Sequence, residues 1–130
     1  MMADAEEVVG GTMQVLLVED QDSVRETLAE LLADAGLDVG EAASGEQALD
    51  MVAAGGPPDV VVTDLDLGSG LSGLVLGERL AATWPEIGVV YITGRPWLIQ
   101  DHRLGPRERF LQKPCSSARL IDAIEAVHEH

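Results

Sequence analysis

Short apolar runs and amphipathic stretches alternate along the chain. Residues 15–18 (VLLV), 60–63 (VVVT) and 89–93 (VVYIT) are apolar on consecutive positions, not on every second one. Consecutive apolar residues suit parallel strands covered on both faces. Weaker runs at 38–42 and 109–112 complete a set of five. Val24, Leu28, Leu31, Leu32 and Ala35 recur at helical spacing along one face, and Gly36 follows as a stop. Ser44 with Gln47 reads as a capping box opening a second helix, which Gly55, Gly56, Pro57 and Pro58 close. Residues 74–83 form a third helical stretch, ended by Trp84 and Pro85. Ser116 caps a last one, in which Leu120, Ile121, Ile124 and Val127 share a face. Between Gly94 and Glu108, however, Pro96, Gly105 and Pro106 leave room for at most a short helix around 97–103.

Strand runs alternating with about five helices predict an α/β fold with a five-stranded parallel sheet and helices on both faces. Right-handed crossovers reduce the topologies to a few doubly wound ones, with a crevice beyond the carboxyl ends of the strands. The polar residues there are specific. Run one ends in Glu19 and Asp20, run three in Asp64, run four in Thr93 and run five in Lys113. In the order 2-1-3-4-5 the first and third strands are neighbours about 4.8 Å apart, so the three carboxylates crowd into one crevice. Like charges so close repel unless a proton or cation intervenes. Mg²⁺, held by one or two carboxylates plus water, is the natural remedy.

Charge and composition narrow the partners. The 130 residues, of which 46% are hydrophobic, suit one domain, expected over 13–130 behind a flexible acidic tail at 1–12. The formal charge of −15 disfavours nucleic acid, and there is no polybasic stretch for a membrane surface. Residues 95–113 run the other way: five basic residues against two acidic give +3, leaving −18 on the rest. Lys113 is the only lysine among eight basic residues, a compact point charge in a chain that elsewhere uses arginine. A single cysteine, Cys115, excludes an internal disulfide and reads as a small hydrophobe beside the site. The start lacks the basic region and apolar run of a signal peptide, and no stretch is long enough for a membrane span. A cytoplasmic location is expected. His102, His128 and His130 have no partner at metal-ligand spacing and read as surface residues.

The acidic pair after VLLV, the VVVTD stretch, YIT at the fourth strand and FLQKP together resemble a response-regulator receiver domain, over about residues 13–128. The resemblance implies the flavodoxin-like order 2-1-3-4-5, with the fourth helix short or irregular here. It implies that Asp64 is the phosphoacceptor and that Asp20 and Asp64 ligate Mg²⁺. Glu19 would act through a bound water, and the Asp66 backbone carbonyl would complete the ligands. Thr93 and Lys113 would each hold a phosphoryl oxygen, and Phe110 would occupy the aromatic switch position. A cis bond between Lys113 and Pro114 is also implied. The donor would be a phosphohistidine on a histidine kinase or phosphotransfer protein, and output would pass to an unknown downstream protein. With no output domain after the last helix, the expectation is a stand-alone receiver or one excised from a hybrid protein.

Two departures stand out. Most receivers carry proline where Gly68 stands, in a loop one residue shorter; some receivers associated with hybrid histidine kinases resemble the longer form. The broken segment 94–108 is the second, and it leaves the usual partner face open. Two residues past Asp64 and Thr93 lie Asp66 and Arg95, expected to pair across the site mouth and shield a phosphoryl group from water. Two other functions compete. Asp64-Leu65-Asp66 also resembles the Asp-x-Asp start of haloacid-dehalogenase-type phosphatases, although that motif normally opens a first strand in a longer chain. A receiver-like module that binds partners without phosphorylation is the other.

Overall fold

The computed structural model describes residues 12–129; apart from Thr12, the acidic tail expected over 1–12 lies outside them. Five strands form one parallel sheet: β1 (Gln14–Val18), β2 (Asp38–Ala42), β3 (Val60–Asp64), β4 (Gly88–Thr93) and β5 (Glu108–Gln112), in the order β2-β1-β3-β4-β5. Four α-helices connect or follow them: α1 (Asp22–Asp34), α2 (Gly45–Gly55), α3 (Gly73–Thr83) and α4 (Ser117–His128). Between β4 and β5 there is one 3₁₀ turn, Pro96–Leu98, where the sequence allowed a short helix around 97–103.

The sheet separates two cores, which explains the consecutive apolar runs. Leu16, Val18, Val61 and Tyr91 point to one side, where α2 and α3 supply Val52, Leu76 and Leu80. Val15, Leu17, Val60, Val62 and Ile92 point to the other, against Leu32 of α1 and Leu120, Ile124 and Val127 of α4. Alternate side chains of a strand face opposite ways, so every position of β3 is buried. Each fully buried Val or Leu contributes about 1.5–3 kcal/mol.

Caps set where the helices begin. The Ser44, Ser72 and Ser116 hydroxyls accept from the N–H of Gln47, Val75 and Arg119. The Gln47 side chain reaches back to the Ala43 N–H, one residue before the cap position itself. Helix α1 stops at Asp34, so Ala35, read as part of its apolar face, is exposed beyond the helix end. Ala29 is buried on that face instead.

Candidate functional site

The carboxyl edge of the sheet gathers the polar residues. Val18 lies opposite Thr63 in the β1–β3 register, which carries the residues that follow, Glu19 and Asp64, to adjacent positions. Both are nearly inaccessible, at 3% and 9% exposure, and Thr93 is 1% exposed. Asp20 faces solvent. Lys113, just past β5, places its Nζ 2.7 Å from Asp64 Oδ2 and 3.9 Å from Glu19 Oε1. The other Asp64 oxygen accepts from the Asp66 N–H at 2.9 Å. The Lys113–Pro114 bond is cis.

Burial and charge together shift the ionisation of this cluster. Two like charges 4 Å apart repel by about 4 kcal/mol at an effective dielectric of about 20. Burial pushes the Glu19 carboxyl above the usual range and nearby Asp64 adds to it, against the Gln21 N–H and Lys113, which favour the anion. Burial pulls the Lys113 ammonium down, but hydrogen bonding and attraction to Asp64 outweigh it and its pKa is raised. Counted formally, Glu19, Asp20 and Asp64 against Lys113 leave this edge of the sheet with two negative charges in excess. Among the described residues no three His, Cys, Asp or Glu side chains form a ready-made metal cluster.

The loop after Asp64 passes close to Asp20. Gly68 has φ +73°, and a Cβ there would lie 3.1 Å from Asp20 Oδ2, so a side chain would crowd that carboxylate. Glu46 at the start of α2 accepts from the Leu71 N–H at 3.1 Å and ties the far end of the loop to the helix. Sequence reasoning passed over Glu46, because an acidic residue in a first helical turn has an ordinary use near the helix dipole.

On the opposite wall, Thr93 Oγ1 accepts from the Arg95 N–H at 2.9 Å, and Arg95 Nη2 lies 2.5 Å from Asp66 Oδ2. Phe110 is half-buried, stands opposite Tyr91 in the β4–β5 register and packs against the α2/α3 core. Cys115 is partly buried against the α1/α4 core.

The structure overturns the expectation that His102 lies on the surface. His102 is not a surface residue: its side chain is 17% exposed, Nε2 lies 3.2–3.3 Å from both Glu108 oxygens, and its ring meets Tyr91 edge-on at 5.9 Å. The Tyr91 hydroxyl and the Gly105 N–H also donate to Glu108, each at 2.8 Å. Burial alone would raise the Glu108 pKa, but these partners together bring it below the usual range. Burial and the Glu108 anion push the Tyr91 phenol up. His130 lies outside the described residues.

The sheet order and this crevice define a signalling receiver fold, and comparison with known proteins agrees. Residues 15–125 match the response regulator receiver domain, and the chain belongs to that family. It is 37% identical over 120 residues to the transcriptional regulatory protein FixJ of Azorhizobium caulinodans, covering 88% of this chain and 54% of FixJ. It is 34% identical to the sensor kinase CckA of Brucella abortus, covering 93% of this chain and 13% of CckA. The chain therefore spans about half of one relative and a small part of the other. A response regulator receiver protein from Sinorhizobium medicae superposes with a TM-score of 0.79 at 27% identity, covering 91% of this chain and 95% of that one. No helix among the described residues is long and apolar enough to cross a membrane.

Proposed function

We propose that this receiver is a phosphoacceptor in a two-component phosphorelay, taking a phosphoryl group onto Asp64 from the phosphohistidine of a histidine kinase or phosphotransfer protein. The observation that carries this reading is the Asp64 carboxylate at the end of β3, held by Lys113 and facing buried Glu19. An Asp64 oxygen attacks phosphorus, the P–N bond breaks, and its electron pair leaves on the imidazole nitrogen. Phosphoryl transfer asks mainly for positioning and charge neutralisation. Lys113 meets one phosphoryl oxygen and Thr93 another, its hydroxyl keeping the Arg95 N–H as a fixed donor behind it.

The excess of two negative charges fits one Mg²⁺, with Asp20, Asp64 and the Asp66 carbonyl as ligands and Glu19 acting through water. When bound, the ion neutralises charge developing on the transferred group. Signalling follows from phosphorylation-dependent binding to a downstream protein, with Thr93 and Phe110 as switch residues. An apolar hollow of about 510 Å³ beside Lys113, lined by Val24, Leu28, Ile92, Pro114 and Cys115, offers the donor protein a seat next to the site. The chain's own chemistry is then limited to self-phosphorylation and slow hydrolysis of the acyl phosphate.

The test is intact-protein mass after incubation with acetyl phosphate, with and without Mg²⁺. A gain of one phosphoryl group that requires Mg²⁺ and disappears in Asp64→Asn is expected. If the gain persists in Asp64→Asn, another residue is the acceptor. If neither acetyl phosphate nor a phosphorylated kinase transfers, the chain is a binding module that does without phosphorylation.

A further inference from the structure

Among the described residues, strand β2 is one edge of the sheet and has no strand beyond it. The Asp38 N–H bonds the Met13 carbonyl, and the Ala42 carbonyl accepts from the Glu19 N–H, so these residues turn their backbone toward β1. In a parallel pair the intervening residues face the other way. The N–H and C=O groups of Val39 and Glu41 therefore point out of the sheet, toward the position of a sixth strand.

A hollow flanks this edge on each face. On the α1 side a cavity of about 620 Å³ has Ala29, Leu37 and Val39 as its floor and Glu26, Glu30 and Glu41 on its rim, and no basic residue among the described ones lines it. Arg25 Nε lies 3.4 Å from Glu41 Oε1 and offsets one of these acids. On the α2 side a cavity of about 240 Å³ is walled by Leu16, Val52 and Pro58, with Gly40 leaving the space open. Met51 borders it and is 37% exposed. One hollow is acidic at its rim and the other mainly apolar.

We propose that the β2 edge is a docking site for an extended segment of a partner protein in which basic and apolar side chains alternate. A strand added beside β2 bonds the free groups of Val39 and Glu41 and sends successive side chains to opposite faces. Lysine or arginine on the α1 side meets Glu26, Glu30 and Glu41, with its alkyl stem over Ala29 and Leu37. An apolar residue on the α2 side enters the hollow at Gly40. The same acids exclude a second copy of this chain, because two β2 edges brought together would set acid against acid. This surface works independently of Asp64 chemistry, so its test does not depend on phosphorylation.

The probe is a labelled synthetic peptide of alternating lysine and valine, titrated into the full chain by fluorescence anisotropy and by amide exchange. Two controls are a peptide of the same composition reordered to helical spacing and one with glutamate for lysine. The alternating peptide is expected to bind, more weakly as salt rises, and to slow exchange at the Val39 and Glu41 amides. Affinity should fall about tenfold in a Glu26→Lys, Glu30→Lys double variant and similarly in Gly40→Ile. At Gly40 an added Cβ meets only ordinary contacts, at 3.6 Å from Leu16 Cδ1 and 3.8 Å from Met51 Cε. Equal binding of all three peptides, or no binding, would overturn the proposal. So would a bound peptide that leaves the Val39 and Glu41 amides unprotected, or self-association of the chain that protects them without any peptide.

Discussion

The Arg95–Asp66 pair and Glu19 act in opposite directions on stability and function. Arg95 and Asp66 are about half exposed, so their ion pair contributes only about 0–1 kcal/mol to folding. Its expected value lies at the site mouth, where it narrows the path of an attacking water. Arg95→Ala should therefore lose the phosphoryl group from Asp64 several-fold faster with little change in melting temperature; a lifetime equal to the parent's would remove the shielding role. Glu19 shows the reverse. Its pKa is raised chiefly by burial, so the ionised form is disfavoured in the fold. A carboxyl with a raised folded pKa costs stability above that pKa, and the cost disappears as pH falls below its unfolded value of about 4.3. Glu19→Gln keeps an acceptor for the Gln21 N–H and should raise the melting temperature by a few degrees at neutral pH, with no gain at pH 3. Thermal scans at the two pH values decide this. A lower melting temperature at neutral pH would mean that the Lys113 attraction outweighs burial.

The segment between β4 and β5 depends on one carboxylate for its shape. Glu108 gathers Tyr91, His102 and the Gly105 N–H, and so pins the 3₁₀ turn and the loop after it without a regular helix. Tyr91 fits only because Gly77 of α3 has no side chain: a Cβ there would lie 2.0 Å from the hydroxyl oxygen. Removing the charge in Glu108→Gln weakens hydrogen bonds worth about 1.5–3 kcal/mol each when one partner is ionised. A loss of about 1–3 kcal/mol in urea unfolding is expected, with faster amide exchange over residues 99–107. The Glu108 pKa is depressed in the fold, so its contribution is present above its unfolded pKa of about 4.3 and lost as pH falls through the folded value. The parent should show this acid-dependent loss and Glu108→Gln should not. If both lose stability in parallel with acid, other carboxylates control the effect.

Over the whole molecule, a net charge of −15 makes the compact state self-repelling, with only the stretch from 95 to 113 positive. Screening over about 8 Å at physiological ionic strength relieves that repulsion. Raising sodium chloride to a few tenths molar should raise the melting temperature by several degrees; a fall would mean that attractions such as Lys113–Asp64 dominate. The sequence by itself determined the sheet, its helices and the residues of the crevice. A strand buried on both faces is apolar on consecutive positions, and groups that meet at one edge must lie at strand ends, so Glu19, Asp20, Asp64, Thr93 and Lys113 could be read from their places in the runs. Family resemblance supplied the roles proposed for them. Only the tertiary structure decided what depends on packing between distant segments: His102 and Tyr91 meeting on Glu108, Glu46 holding the loop at Leu71, and the two hollows beside β2. No local pattern marks these contacts, because a histidine eleven residues past a tyrosine carries no period. Its burial comes from the path of the chain between β4 and β5.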